Sequence, residues 1–304
     1  MQFNKLKTIA AAALSVAMLF SAAACGTSDK AGDSGSDKGG SSKSVTITSY
    51  DVSSVKKDDA IAALLPESVT KDGKLTIGTN PSYAPAEFLD ADGKTQIGYD
   101  MDLARAMGNI FGLDTEIVSS NFDTIIPAIG SKYDLGIAAF TKTPERAEEI
   151  DFSDLYEKSA QLLIVKAGNA DLYSTKESLA GQKVGAQKGT IQSQLIQTAL
   201  PDSELFELEK YPALALEVQN GNIAGLVVDQ AVGESLIATS NGGLEVSNFA
   251  FTSEEASFGK AVVAAKGSED LLAEVNTVIN QVVNDGSYLK AYDEAVELAA
   301  SMGL

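Results

Sequence analysis

Hydrophobic and polar positions follow two kinds of pattern along most of the chain, one typical of strands and one typical of helices. Short β-branched runs predict strands, and amphipathic stretches with apolar residues three to four positions apart predict helices. Strands are predicted at residues 75–78, 116–118, 134–139, 162–165, 226–228 and 261–265, and helices at 100–111, 123–129, 191–200, 269–283 and 288–302. Strands that alternate with helices in this way are typical of an α/β fold with largely parallel sheets.

Two apolar strands, 162–165 and 261–265, bracket the middle of the chain. We interpret them as two crossings between lobes. The predicted division places residues 74–163 and 262–304 in lobe 1 and residues 164–261 in lobe 2.

Residues 45–73 form an N-terminal extension with the weakest pattern. A strand is possible at 45–48, and a helix is predicted at 58–65, where Pro66 would end it. We assign no function to this extension.

The first 24 residues have the features of an export signal. Lys5 and Lys7 give a positive start, and residues 9–20 are apolar apart from Ser15. The apolar run is too short to span a bilayer. We therefore predict that residues 1–24 are a signal peptide.

Cys25 is the only cysteine of the chain and directly follows this signal. The sequence Ala22-Ala23-Ala24-Cys25 resembles a lipobox, in which the cysteine is lipidated after cleavage. Ordinary secretion is the alternative, because Ala22 and Ala24 also suit a signal peptidase that attaches no lipid. That cleavage would leave an unpaired thiol exposed, so lipidation is the favoured interpretation.

Residues 26–44 are rich in Gly, Ser, Asp and Lys and contain no large apolar residue. Such a stretch cannot bury enough surface to offset the entropy of folding. We predict that residues 25–44 are a lipid-anchored flexible linker with a reach of about 25 Å.

Composition limits the chemistry of the chain. With 23 basic and 42 acidic residues, the net charge of −19 disfavours nucleic acid as a partner. The chain has no histidine, which excludes His-dependent triads and most zinc sites. We expect a binding protein rather than an enzyme, with no cofactor and no metal.

Five short segments carry the strongest functional signal. They are 81–88 (PSYAPAEF), 98–103 (GYDMDL), 121–128 (NFDTIIPA), 141–146 (TKTPER) and 150–153 (IDFS). With these segments the chain resembles the extracellular solute-binding proteins (family 3) of polar amino acid ABC importers, over roughly residues 74–290. One segment alone would be weak evidence, but five in the family's order and spacing are strong. The resemblance implies a two-lobed periplasmic-binding-protein-like (type II) fold with two crossing strands.

The resemblance also implies how a zwitterion would be held. Arg146 would bind the ligand carboxylate through two parallel donors. Thr141 and a helix N-terminus at Thr190 and Ile191 would add contacts to the same carboxylate. Asp229, at the end of a predicted strand in the second lobe, would bind the ammonium group.

Other positions would surround the rest of the ligand. The carbonyl of Ala139, which stands where the family often has Gly, would be a neutral acceptor. Tyr83 and Phe122 would enclose the aliphatic part and exclude water. Contacts from both lobes imply that the lobes close on the ligand.

Each of these residues also has a simpler interpretation. Arg146 would pair with Glu145, Glu148 or Glu149 on an exposed helix, and Asp229 or Thr190 would only cap a helix. Phe122 would be a core residue. We interpret 98–103 as structural, a turn followed by a helix whose first acids suit the helix dipole.

Side-chain specificity is expected from Asn80, Glu87, Gln187 and Gln230. Relatives that take cationic amino acids commonly have an aspartate at the position of Asn80, so its absence argues against lysine or histidine. Asn80 and Gln187 suit a neutral polar side chain such as that of glutamine. Glu87 leaves arginine open.

The predicted function is capture of a polar amino acid and its delivery to an ABC permease. The protein would be extracytoplasmic and held at the cell membrane through Cys25. A cyclohexadienyl dehydratase-like enzyme on the same scaffold and a binding protein that feeds a sensory receptor are the alternatives.

Overall fold

The computed structural model describes residues 52–252, 257–284 and 286–303. The predicted signal peptide, Cys25, the linker and the possible strand at 45–48 lie outside these ranges.

Strands and helices alternate along the described chain. The strands are β1 (Lys74–Thr79), β2 (Phe88–Leu89), β3 (Gln96–Ile97), β4 (Asp114–Ser119), β5 (Leu135–Gly136), β6 (Ile150–Lys166), β7 (Lys183–Gln187), β8 (Glu204–Leu208), β9 (Gly225–Asp229), β10 (Leu244–Val246) and β11 (Ser257–Ala265). The helices are α1 (Asp59–Ala62), α2 (Glu67–Thr70), α3 (Tyr99–Phe111), α4 (Phe122–Ile125), α5 (Pro144–Glu149), α6 (Ile191–Ala199), α7 (Tyr211–Asn220), α8 (Gln230–Thr239), α9 (Glu269–Asn284) and α10 (Ser287–Met302).

Three predicted elements are shorter or interrupted in the structure, whereas the strands predicted at 162–165 and 261–265 belong to the longer β6 and β11. The strand expected at 134–139 pairs only at β5, after which the chain enters the cleft described below. The helix expected at 58–65 is only the short α1, and Pro66 is the N-cap of α2 rather than a terminator. The helix expected at 123–129 is α4 followed by a 3₁₀ turn that contains Pro127, because proline lacks the N–H that a longer α-helix needs.

The described strands β4, β1, β5, β11, β6, β9, β7 and β8 follow one another in a continuous hydrogen-bonded path, and β10 pairs with β6. β1 is parallel to β4 and β5, and β7 is parallel to β8 and β9. β6 connects the two parallel groups. Its first part pairs with β11 from Ile150 to Ala160, and its last part pairs with β9 from Gln161 to Val165.

Helix α3 shows how the sequence determines the first lobe. Gly98 precedes it with φ 117°, and a Cβ there would lie 2.3 Å from the carbonyl oxygen of Ala86, so only glycine fits. Gly112 ends the helix in the left-handed conformation. The predicted apolar face is buried in a core shared with β1 and α9, and contains Leu103, Met107, Ile110 and Phe111.

The second lobe has its own core. Leu163 and Val165 of β6 pack there with Val184 of β7, Leu195 of α6 and Val227 of β9. The crossing strand β6 therefore contributes to both lobes. Helix α10 contacts α3 of the first lobe and α8 of the second, and the division at 74–163, 164–261 and 262–304 stays a prediction.

Candidate functional site

A cleft with about 300 Å³ of space between its walls, part of it open to solvent, lies where β5, β7 and β9 end. In sheets of this type, ligands bind outside the carboxyl ends of parallel strands. The cleft contains nine of the ten residues that the sequence predicts to bind ligand; the tenth, Asn80, is not among the lining residues. It is lined by Tyr83, Glu87, Phe122, Ala138, Ala139, Thr141, Arg146, Gln187, Thr190, Ile191, Gln192 and Asp229.

Arg146 faces the cleft without an acidic partner among the described residues. Its Nη1 donates to the carbonyl of Thr141 at 2.9 Å, and its Nη2 donates to the carbonyl of Gly189 at 3.1 Å. Its Cζ lies 5.5 Å from the ring centroid of Phe122, a cation–π distance. Burial lowers the pKa of Arg146 to about 10, so the guanidinium stays charged at neutral pH. The alternative pairing with Glu145, Glu148 or Glu149 is not observed, and the guanidinium remains suited to an anion.

Asp229 is the acidic group of the opposite wall. It precedes α8, but its side chain makes no cap hydrogen bond. Instead its carboxylate accepts from the hydroxyl of Tyr83 and, at 2.6 Å, from the amide of Gln161. Burial, followed by the charge of Asp229, raises the pKa of Tyr83, which keeps this hydroxyl a donor. Helix capping therefore does not explain the side chain of Asp229.

The carboxylate end of the predicted site has two backbone features. Ala139 has φ 50°, the left-handed region, which explains why glycine is common at this position in the resembling family. Thr190 is the N-cap of α6 and accepts from the N–H of Ser193. It lines the cleft next to Ile191, so its capping role and the predicted ligand role are compatible.

Asn80 supports the cleft from behind. Its Oδ1 accepts from the Gln187 amide at 2.9 Å and from the Ser82 hydroxyl at 2.7 Å. Gln230, also expected to set specificity, is exposed and bonds Glu234 at 2.8 Å. Gln230 is not among the residues that line the cleft, because the chain turns into α8 directly after Asp229, and its role in specificity stays a prediction.

The walls of the cleft touch each other around the site. Lys188 Nζ lies 2.7 Å from Asp123 Oδ2, and Arg146 reaches the carbonyl of Gly189 as described above. Together with the bond between Tyr83 and Asp229, these contacts join residues from the two predicted lobes. The arrangement is a closed one.

Beneath the cleft lies a buried charged group that the sequence analysis did not predict. Lys260 of β11 is 1% exposed. Its Nζ lies 3.1 Å from Glu157 Oε1, 3.4 Å from the Tyr99 hydroxyl and 3.8 Å from Asp229 Oδ2. Burial by itself lowers the pKa of Lys260, but Asp229 and Glu157 outweigh it, so the pKa is raised. The one available signal was a lysine directly before the apolar run 261–265.

Two glutamines orient Asp229 and were also missed. Gln192 Nε2 donates to Gln161 Oε1 at 2.8 Å, and Gln161 in turn donates to Asp229. All three side chains are buried. These two hydrogen bonds hold the carboxylate of Asp229 in a fixed orientation at the cleft.

Glu87 and Asp100 form a second buried acidic pair. Asp100 is 0% exposed, and its Oδ2 accepts from the N–H of Ala139 at 2.8 Å and from the Tyr156 hydroxyl at 3.0 Å. Burial raises the pKa of Asp100 to about 7 and that of Glu87 well above its ordinary value. The interpretation of 98–103 as a turn followed by a helix start with acids in its first turn is confirmed, and Asp100 in addition supports the loop at Ala139.

Two lobes, two crossing strands and a cleft with a cationic and an anionic wall define a solute-binding protein of the two-lobed periplasmic-binding fold. The model of the bacterial extracellular solute-binding proteins, family 3, matches residues 75–296. The chain belongs to this family.

Relatives and solved structures agree with this assignment. The chain is 29% identical to the ABC transporter glutamine-binding protein GlnH of Bacillus subtilis, over 96% of this chain and 97% of that protein. It is 27% identical to ABC transporter arginine-binding protein 1 of Escherichia coli K12, over 73% and 90%. The substrate-binding protein AbpA of Streptococcus pneumoniae, bound to L-arginine, superposes with a TM-score of 0.73 at 30% identity, over 77% of this chain and 99% of AbpA.

The family is extracellular, which places this chain outside the cytoplasm. None of the helices in the described ranges is long and apolar enough to cross a membrane.

Proposed function

We propose that this protein captures a polar amino acid between its lobes and delivers it to an ABC permease. The observation that carries the proposal is the pair of charges in the cleft. Arg146 has carbonyl and aromatic contacts but no carboxylate partner in the described structure, and Asp229 faces the same space. A zwitterion needs an anchor for its carboxylate and another for its ammonium, and these two residues provide both.

The relatives support this function and narrow the ligand. The relatives include a glutamine-binding protein, arginine-binding proteins and an L-cystine-binding protein. Gln187 lines the cleft with an amide side chain, so we propose a neutral polar ligand such as glutamine, with arginine as the competing candidate.

The test is a thermal-shift screen over the common amino acids, followed by calorimetry, because a ligand that binds the folded state raises its apparent stability. Arg146→Gln should weaken binding of the best ligand by about thirtyfold or more, since truncating one partner of a desolvated charge pair costs about 2–5 kcal/mol. Arg105→Gln is the matched control, because Arg105 bonds the carbonyl of Gln96 outside the cleft. A panel with no response, or equal affinity in both variants, would refute the proposal.

A cyclohexadienyl dehydratase-like enzyme is the alternative on the same scaffold. That alternative predicts turnover of prephenate or arogenate by the purified protein, and we expect none. A protein that feeds a sensory receptor would give the same binding data, but its function would not depend on a permease. Assays of ligand uptake in permease-deficient cells would distinguish this role from transport.

We also propose that the protein is a lipoprotein anchored through Cys25, with residues 26–44 as its spacer. The support is the signal-like segment before the single cysteine. The mature protein should carry the mass of a diacylglycerol on Cys25, and Cys25→Ser should release the protein from the membrane while its ligand affinity is retained. An unmodified Cys25 in the mature protein would refute the anchor and leave the binding function untouched.

A further inference from the structure

Glu87 and Asp100 are neighbouring carboxyl groups at the inner wall of the cleft, and one oxygen of each lacks a hydrogen-bond donor among the described residues. The backbone N–H of Asp100 donates to the carbonyl of Ala86 at 3.0 Å, which places Asp100 beside Glu87, and after burial the nearby Asp100 is the next largest cause of the raised pKa of Glu87. Glu87 Oε2 and Asp100 Oδ1 are both buried and have no donor in the described structure. A deprotonated carboxyl group can only accept hydrogen bonds. Two neighbouring buried carboxyl groups of this kind therefore need a proton, because without one neither group can donate a hydrogen bond to the other.

The charges around the pair lead to the same conclusion. The titratable groups that face it are Tyr83 and Asp229 at the cleft, Tyr156 and Glu157 on β6, and Lys260 on β11. Among these groups Lys260 is the single cation, whereas the carboxyl groups, counting the pair itself, number four. One ammonium group cannot balance the three buried carboxyl groups Glu87, Asp100 and Asp229 together with the partly exposed Glu157, because each isolated buried charge is costly.

The hydrogen bonds show which member holds the proton. Asp100 Oδ2 accepts from both the N–H of Ala139 and the hydroxyl of Tyr156, and Asp100 lies in the first turn of α3. Both features stabilise a carboxylate. No donor to Glu87 Oε2 is found in the described structure, so the proton belongs on Glu87, which donates it to Asp100. Burial raises the pKa of both carboxyl groups, which agrees with a proton held within the pair.

We propose that Glu87 meets the ligand as a neutral carboxylic acid, with its proton donated to Asp100, and thereby selects neutral hydrogen-bonding side chains over cationic ones. This inference rests on the proposed function, because it takes the cleft to be an amino acid site. Glu87 lines that cleft. A neutral ligand side chain can hydrogen-bond the acid as it stands. A guanidinium or ammonium group gains full pairing only when the proton leaves, so its binding is coupled to proton release.

Infrared spectroscopy tests the protonation state without any ligand. At pH 7 the protein should show the carbonyl stretch of a buried carboxylic acid, and Glu87→Gln should remove it. Glu116→Gln is the matched control, because Glu116 is exposed and paired with Lys74 at 2.8 Å; the band should persist there. A spectrum in which Glu87→Gln removes only ionised carboxylate signal would overturn the inference.

Calorimetry tests the selectivity. The affinity for arginine, relative to the best neutral ligand of the panel, should rise with pH by up to about tenfold per unit between pH 6 and 8, because one proton is released. Glu87→Gln should make this ratio independent of pH. A pH-independent ratio in the wild type would overturn the inference. If no amino acid binds at all, the proposed function fails, while the infrared experiment still decides the state of Glu87.

Discussion

Lys260→Met removes the buried ammonium group while it keeps an unbranched side chain of similar length. In the native protein Lys260 is 1% exposed and lies 3.1 Å from Glu157 and 3.8 Å from Asp229. The variant leaves both carboxylates buried without their cation. Breaking a buried ion pair from one side costs about 3–5 kcal/mol, and we expect a loss of this size in the free energy of unfolding.

Urea unfolding, followed by circular dichroism, measures this loss. Lys266→Met is the matched control. Lys266 follows the same strand and pairs with Asp151 at 2.8 Å, but its side chain is 54% exposed. Exposed pairs contribute about 0–1 kcal/mol, so this variant should change little. If both variants unfold within about 1 kcal/mol of each other, the buried pair does not have the assigned role.

A second substitution distinguishes two causes of the lost stability, the loss of packing around the lysine stem and the burial of uncompensated carboxylates. Lys260→Met combined with Glu157→Leu removes one of the two uncompensated carboxylates, and should recover about 1–2 kcal/mol relative to Lys260→Met alone. If the loss came from packing of the lysine stem, the double variant would recover nothing.

The contribution of Lys260 to the free energy of unfolding depends on pH in a definite direction. Burial lowers the pKa of Lys260, yet Asp229, Glu157 and Asp100 raise it by more. A raised folded-state pKa stabilises the protein fully below the ordinary lysine pKa of about 10.4, and the stabilisation is lost as the pH rises through the folded value. The stability difference between wild type and Lys260→Met should therefore narrow only above about pH 10.4.

Three further substitutions test the fold and the closed arrangement. Gly98→Ala places a Cβ 2.3 Å from the carbonyl oxygen of Ala86 at φ 117°, and should cost about 2–3 kcal/mol in urea unfolding. Gly189→Ala places a Cβ 2.8 Å from the Cβ of Asp123 across the cleft, and should weaken ligand binding by about tenfold in calorimetry through strain of about 1–2 kcal/mol; unchanged affinity would mean that these walls do not approach on closure. Lys188→Met breaks the half-exposed pair with Asp123, and should weaken binding by no more than about fivefold.

Much of the fold follows from local sequence signals. Helix α3 lies within one residue of its predicted bounds, because its apolar face, its preceding Gly98 and its terminal Gly112 act within the helix itself. The length of β6 was not predictable in the same way. Its residues 150–160 are mixed in polarity, and they are a strand because β11 pairs with them across the chain.

The residues of the candidate site also fall into those that local sequence signals predict and those that they do not. Residues in recognisable segments, such as Arg146, were placed in the cleft by motif order. Strand β5 was predicted too long because the β-like residues after it include Ala139, whose positive φ bends the chain into the cleft. No periodicity in the sequence reports such a bend.

Lys260 and Asp100 show what kind of information local patterns lack. Each is a charged residue whose neighbours in sequence suit an exposed position: a strand start for Lys260 and a helix N-terminus for Asp100. Each is buried because groups from distant segments meet it, with Glu157 paired across β6 and β11 and the N–H of Ala139 approaching α3. A buried charge persists only where such partners satisfy it. The residues that set the charge of the cleft are therefore the residues least visible in the sequence, and the protonation state of Glu87 depends on them rather than on its own segment.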